Sequence, residues 1–279
     1  MNQDVFDSFF KPYSKNVDNV DKISAFWRLS DAIILEVIKR EIGPYVTSKS
    51  VLLDAGGGTG RWALKINDAL GVPVTVIDRS RDMLEKAREN IGAANKKEEI
   101  ALINGDIINM NSIADDTFDH AVSIYSPLSF IYEQDKAVRE LYRVLKKGGR
   151  LLVMSHGQHN ALYSKINNYH SDIDQLRALE EKRMVKWSDH VPNLVTHSKE
   201  SLESLLAGVG FSPIRTYGIP LYVQPGSEDF DPNNGKVSSI SEYLEDLTIF
   251  SAVFDLEMRH NSSPTIANRG MNIFTLAQK

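Results

Sequence analysis

Cysteine is absent from the 279 residues, so disulfides, thiolate metal sites and thiol nucleophiles are excluded. No apolar run approaches the roughly 18 residues that a membrane-spanning helix needs, and no membrane partner is expected. A long basic run is missing too. With a net charge of −5, a nucleic-acid partner is disfavoured, because phosphate binding leaves a clustered Lys/Arg footprint. The start, Met1-Asn2-Gln3-Asp4-Val5-Phe6-Asp7, lacks the basic and then apolar pattern of a secretory signal, so the cytoplasm is the expected compartment. No trio of His, Asp and Glu has a metal-ligand spacing, and no metal is expected. What is present is 42% hydrophobic and 25% charged residues, ordinary globular proportions that can bury a sizeable core.

From about residue 50 the apolar runs are short and alternate with helical patterns, which is the rhythm of an α/β protein with a mostly parallel sheet. Val51-Leu52-Leu53 is a strand ending at Asp54-Ala55-Gly56-Gly57-Gly58-Thr59-Gly60, and a helix with apolar residues at Trp62, Ala63, Ile66 and Leu70 follows it. Val74–Asp78 is the next strand. Ser80 caps a helix carrying Met83, Leu84 and Ala87. Further strands are expected at Ile100–Ile103, Phe118–Ile124 and Arg150–Met154, with a helix over Asp135–Leu145 stopped by Lys146-Lys147-Gly148-Gly149.

Residues 157–197, rich in Asn, His, Tyr and charge, show no convincing strand and are expected to form an inserted substrate cap. The sheet resumes with a helix over Lys199–Val209 and a strand near Pro213–Tyr217. A Pro/Gly/Asp/Asn-rich loop spans 220–238, and a helix over Ile240–Arg259 and a strand over Asn272–Ala277 close the fold. The expected organisation is an N-terminal helical cap over 1–45, a core over 46–156 and 198–279, and the insert between them.

Ligands of open α/β sheets bind beyond the carboxyl ends of the strands. A dinucleotide fingerprint needs a third glycine where this chain has Arg61, and a P-loop needs a Gly-Lys-Ser/Thr that does not follow. Asp54 would repel a pyrophosphate, whereas S-adenosylmethionine carries an ammonium, a sulfonium and no phosphate. The glycines would then allow close backbone approach to its methionyl and ribose parts, with Asp54 reaching toward the ammonium directly or through water. Asp78, at the end of the second strand, is placed for both ribose hydroxyls, and Asp106, after the third, for the adenine amino group.

Leu53-Asp54-Ala55-Gly56-Gly57-Gly58-Thr59-Gly60, Asp78, Gly105-Asp106 and Leu145-Lys146-Lys147-Gly148-Gly149 resemble the successive motifs of class I S-adenosylmethionine-dependent methyltransferases of the type 11, UbiE-like kind. The resemblance covers about residues 50 to 156. It implies a Rossmann-like seven-stranded sheet with the last strand antiparallel. It also implies Gly56 and Gly58 at the methionyl moiety, Asp78 at the ribose, and Asp106 with Ile107 at the adenine. Arg79, Met83 and Tyr125 complete the expected cofactor set around these strand ends. More loosely, Phe6-Asp7, Tyr13-Ser14, Arg28 and the stretch from Asp255 to Lys279 look like bacterial methyltransferases that act on a carboxyl-bearing wobble uridine of tRNA. That resemblance places Tyr13 among the cofactor residues and implies that Arg28 holds the cofactor carboxylate.

Methyl transfer is an in-line displacement that gains mainly from positioning and desolvation, with a general base useful for hydroxyl, phenol or carbon acceptors. Tyr125 after the fourth strand, and His156 and His159 after the fifth, are the candidate catalytic side chains. His170, His190 and His197 lie in the expected insert. Tyr13, Phe26, Trp27, Tyr163, Tyr169, Trp187, Tyr217 and Tyr222 could line an aromatic acceptor pocket. The expected function is transfer of a methyl group from S-adenosylmethionine to O or N of a small metabolite or natural product. A tRNA-modifying enzyme and a non-catalytic binding module are the alternatives.

Overall fold

The computed structural model describes residues 9–12, 17–189, 191–230 and 235–279. After a helical turn at Val20–Ile23 come α1 (Ala25–Glu41), β1 (Leu52–Ala55), α2 (Arg61–Leu70), β2 (Val74–Asp78) and α3 (Arg81–Ala93). Then follow β3 (Ile100–Asn104), β4 (Phe118–Ser123), α4 (Gln134–Val144) and β5 (Leu145–Gly157). The insert contributes α5 (Gln158–Asn167), α6 (Ile173–Lys182), β6 (Met184–Val185) and β7 (Leu194–His197), and the chain ends with α7 (Lys199–Val209), β8 (Ser212–Ile219), α8 (Ser239–Tyr243), α9 (Leu247–His260) and β9 (Asn272–Gln278).

β1 to β5 are parallel in the order β3-β2-β1-β4-β5, and β9 lies antiparallel between β5 and β8. This is the expected seven-stranded Rossmann-like sheet. Successive strand residues face opposite sides, so Leu52 joins one core cluster and its neighbour Leu53 the other. One face packs Trp62, Ile66, Val74 and Val76 against α1, whose Phe26, Leu29, Ile33, Ile34, Val37 and Ile38 are all fully buried. At roughly 1.5 to 3 kcal/mol for each large apolar side chain buried, α1 is integral to the sheet rather than a loose cover. The opposite face packs Val138, Leu141 and Val144 of α4 and Leu202 and Leu206 of α7 against Ile77, Leu151 and Val153.

Three local expectations are corrected. The insert holds a strand after all: β7 is buried along its whole length, and its Thr196 and His197 pair with His156 and Gly157 at the end of β5. Four residues in a polar stretch carry too little period-two signal to stand out, and a tertiary partner decides them. The helix expected over 240–259 is two helices, because Asp246 accepts from the backbone N–H groups of Thr248 and Ile249 and caps a fresh start. β5 begins at Leu145 rather than Arg150, since Gly148 N donates to Lys279 O and keeps the lysine–glycine segment on the sheet edge. Among the described residues no helix is long and apolar enough to cross a membrane.

Candidate cofactor and acceptor site

The glycine loop leaves β1 and turns into α2. Gly56 and Gly58 adopt left-handed backbone conformations, φ +74° and +54°, which residues with a Cβ adopt only at a cost. At Gly56 a Cβ would lie 2.6 Å from Pro127, so the partner requiring close approach there is the proline after β4. Gly58 N donates to Asp78 Oδ2 at 2.9 Å and Ser80 N to Asp78 Oδ1 at 2.8 Å. Each oxygen thus keeps a lone pair for a further donor. Burial pushes the Asp78 carboxyl up to about 6, against those two N–H groups. Ile107 and Met83 flank the loop at Gly56 and Gly58. Beyond them Arg79 pairs with Asp106 at 3.5 Å, joining the ends of β2 and β3.

Asp54 is turned under the loop. It is 1% exposed and accepts from the Ala63 N–H in the first turn of α2, and its Oδ2 has no partner among the described residues. A Cβ on Gly57 would lie 2.5 Å from that oxygen, which fixes its place directly beneath the backbone of the loop. Burial, then the charge of Asp78, push its carboxyl up to about 7. A buried acceptor lacking a donor, close to a carboxylate with spare lone pairs, is an acceptor set suited to a polyhydroxyl cation and unsuited to a phosphate. S-adenosylmethionine fits it.

The end of β4 is a strained corner. Tyr125 and Ser126 both have positive φ, +58° and +64°. The Tyr125 hydroxyl donates to Asp31 of α1, and its ring packs edge-on to Trp27 at 5.5 Å. Burial, then the charge of Asp31, raise the Tyr125 pKa well above its ordinary value, so Tyr125 is a fixed donor and not a base. Asp31 also holds Arg61 and, at 3.1 Å, Lys65. The sequence reading treated Arg61 only as the residue that spoils a dinucleotide loop. It lies 5.6 Å from the Tyr125 ring and donates to Asp21 at 3.1 Å.

Arg28, expected at the cofactor carboxylate, makes its contacts with protein groups. Its guanidinium donates to Glu245 at 2.5 Å and to the backbone oxygens of Asp21 and Lys22. It lines a cavity of about 510 Å³ with Asp21, Asp31 and Lys65, on the α1 side of the molecule. Tyr13 lies outside the described residues.

His156 and His159 part company. His159 is exposed in the first turn of α5. His156, half-buried at the end of β5, meets Asn272 Oδ1 at 3.1 Å through Nδ1, and its ring lies 6.2 Å from Trp187. Burial lowers its pKa, with the Asn272 hydrogen bond opposing, so the imidazole is neutral at pH 7. His197, fully buried in β7, meets Ser155 Oγ at 2.8 Å, and burial with the charge of Arg183 lowers its pKa to about 3. Ser155 in turn meets Ser129, whose Oγ accepts from His156 N at 3.0 Å. Phe130 beside these serines packs against Phe9 and Phe10 at 6.0 and 5.2 Å. Tyr169 stacks on Trp187 at 5.5 Å. Of the aromatics expected to line a pocket, Trp187 and Tyr169 gather near His156, and Phe9, Phe10 and Phe130 are not of that set. Asn272, Asp31 and Ser129 were missed. Only Asn272 left a trace, as a polar residue opening an otherwise apolar strand.

The sheet order, the glycine loop and the acids at three successive strand ends define a nucleoside-binding fold of the class I methyltransferase type. Residues 52–149 match the family model described as a methyltransferase domain, and this segment is such a domain. The chain is 36% identical over 108 residues to the ubiquinone/menaquinone biosynthesis C-methyltransferase UbiE of Paracoccus denitrificans, covering 38% of this chain and 42% of that protein. It spans less than half the length of the first curated relatives it matches. Its fold is similar to that of the [4+2]-cyclase SpnF, with TM-score 0.59, 19% identity and coverage of 88% and 80% of the two chains. It is also similar to an S-adenosylmethionine-dependent methyltransferase of Thermotoga maritima, a possible histamine N-methyltransferase, with TM-score 0.57, 18% identity and both chains covered in full. At those identities the likeness is one of fold.

Proposed function

We propose that this protein transfers the methyl group of S-adenosylmethionine to an oxygen or nitrogen of a small molecule, with His156 as general base. The observation that carries the reading is the place of the His156 imidazole, bonded to Asn272 at the end of β5, one strand from the Tyr125–Ser126 corner and beside Trp187 of the insert. Asp78 would accept from the ribose hydroxyls and Asp106 from the adenine amino group, with Ile107 and Met83 against the base. The ammonium of the methionyl end would lie across the loop from Asp54, whose carboxylate beneath the backbone favours a cation there. When bound, the cofactor supplies an electrophilic methyl on a cationic sulfur that departs as a neutral thioether. His156 takes the acceptor's proton at Nε2 as the acceptor's electron pair forms the new bond to carbon. Trp187, Phe130 and the segment bearing Phe9 and Phe10 hold the acceptor and exclude water.

The name of the curated relatives favours a second reading in which the accepting atom is a ring carbon. The same histidine then takes the proton of an adjacent ring hydroxyl, which directs electron density onto that carbon.

Both readings are tested by incubating the enzyme and labelled S-adenosylmethionine with a panel of phenols, hydroquinones and amines. Release of S-adenosylhomocysteine and the product mass are the readouts. For any acceptor turned over, His156→Gln is expected to lower kcat by about 10²- to 10⁴-fold, the usual worth of a general base. Turnover equal to wild type would remove His156 from the chemistry.

A further inference from the structure

Asn272 opens β9 directly opposite His156 in the β5–β9 register and is 2% exposed. Its amide makes three hydrogen bonds. Nδ2 donates to Ile219 O at 3.3 Å, Oδ1 accepts from Ser126 Oγ at 3.1 Å, and Oδ1 meets His156 Nδ1 at 3.1 Å. A half-turn exchanges the oxygen and nitrogen of an amide, and the hydrogen-bond network decides between the two orientations. Here one partner leaves no choice. Ile219 O is a carbonyl and can only accept, so the NH₂ faces it and the oxygen faces Ser126 and His156. A side-chain oxygen carries no proton, so His156 Nδ1 has to supply it. In a neutral imidazole that leaves Nε2 as the unprotonated nitrogen.

We propose that Asn272 is the positioning residue of this site: its oxygen holds His156 as the Nδ1–H tautomer, so that Nε2 keeps its lone pair for the acceptor's proton. The inference rests on the proposed role of His156 and adds what fixes its tautomer. Ser126 ties the same oxygen to the positive-φ corner after β4, so one amide links the ends of β4, β5, β8 and β9. The groups packed on His156 favour the neutral form. Asn272 and Ser126 are uncharged. Trp187 covers the ring from the insert, with Lys165 Nζ 5.3 Å from the far ring's centroid and donating to Lys186 O. His197, the nearby second imidazole, is engaged with Ser155 and kept neutral by burial. A carboxylate in place of the amide would change this balance at once.

The test is a nitrogen–proton correlation spectrum of the histidine rings, which reads each tautomer and titration without any acceptor. His156 is assigned as the signal missing from His156→Gln. Wild type is expected to carry its proton on Nδ1 and to titrate below the ordinary histidine value. Asn272→Asp, nearly isosteric, is expected to raise the proton affinity of His156 about tenfold or more through the new ion pair. It should move the acidic limb of the pH–rate profile up with it. Asn272→Ala is expected to release the Nε2–H tautomer into the population. Retained binding of S-adenosylmethionine by calorimetry shows that each variant is folded. A wild-type proton on Nε2, or a tautomer and titration unchanged in folded Asn272→Asp and Asn272→Ala, overturns the inference. Those spectra stand apart from the turnover of His156→Gln, so the positioning role and the catalytic role fail separately.

Discussion

A carboxyl group buried with fewer donors than it has lone pairs holds its proton toward neutral pH, and Asp54 and Asp78 both do so, at about 7 and about 6. A cationic, hydroxyl-bearing ligand prefers both groups ionised. Below these values the free protein must release protons in order to bind, and above them it need not, so affinity rises with pH through the interval from 6 to 7 and then levels off. Binding of S-adenosylmethionine is therefore expected to be tighter at pH about 8 than at about 5.5, with proton release appearing as a buffer-dependent heat between those limits. A flat pH profile would contradict the placement of the cationic end over Asp54. Asp78→Asn keeps an oxygen for one backbone donor and loses the charge. It should weaken binding by about tenfold to a hundredfold, the worth of one charged hydrogen bond at about 1.5 to 3 kcal/mol.

The same two acids were legible in the sequence because strand ends and glycine turns announce themselves. Their geometry was not legible: Asp54 points beneath the loop, and Gly56 makes room for Pro127. Arg28, expected at the cofactor carboxylate, pairs with Glu245, a contact that no motif announces. His156 could be listed from its position but not separated from His159. Separating them takes the register of β9, which only the folded sheet supplies.

Among the elements, the stretch from 220 to 238 reads as a loop, and its composition gives no hint of how firmly part of it is held. Asp229, 4% exposed, accepts from Ser24 Oγ at 2.8 Å, Ser238 Oγ at 2.7 Å, Ser241 Oγ at 2.6 Å and Gly226 N at 2.8 Å. Trp27 Nε1 donates to its backbone oxygen at 2.6 Å. The loop is thereby fastened to the N-terminal end of α1, whose Trp27 packs on Tyr125. Asp229→Ala leaves those donors buried without an acceptor, at a cost of about 3 kcal/mol. It should lower Tm by several degrees and speed proteolytic cleavage within 220–238. Unchanged melting and cleavage would show the fastening to be energetically idle. β7 went unread for the converse reason: four buried residues beside a polar turn become a strand only because β5 extends to Gly157 and offers an edge.

At the scale of the whole molecule, the repeating strand–helix rhythm from residue 50 to 156 made the parallel half of the sheet legible, because apolar runs alternate there with helical patterns and each turn carries its own signal. The antiparallel direction of the last strand came from family resemblance, and its place between β5 and β8 from the folded sheet alone, since no local pattern states which strand pairs with which. It is nonetheless the pairing that brings Asn272 to His156. The proposed acceptor side depends on contacts between segments separated along the chain, Phe9 and Phe10 on Phe130 and Trp187 on His156, and a linear reading supplies only candidates for it. Within the expected N-terminal cap, α1 packs its apolar residues against the sheet.

The central claim is that the crevice from Asp54 to Asp106 takes S-adenosylmethionine, and calorimetric titration of that compound into the wild-type protein at pH about 8 tests it most directly. One site per chain is predicted, with affinity reduced tenfold or more in Asp78→Asn. The absence of binding heat across several temperatures, or equal affinity in the variant, would contradict it.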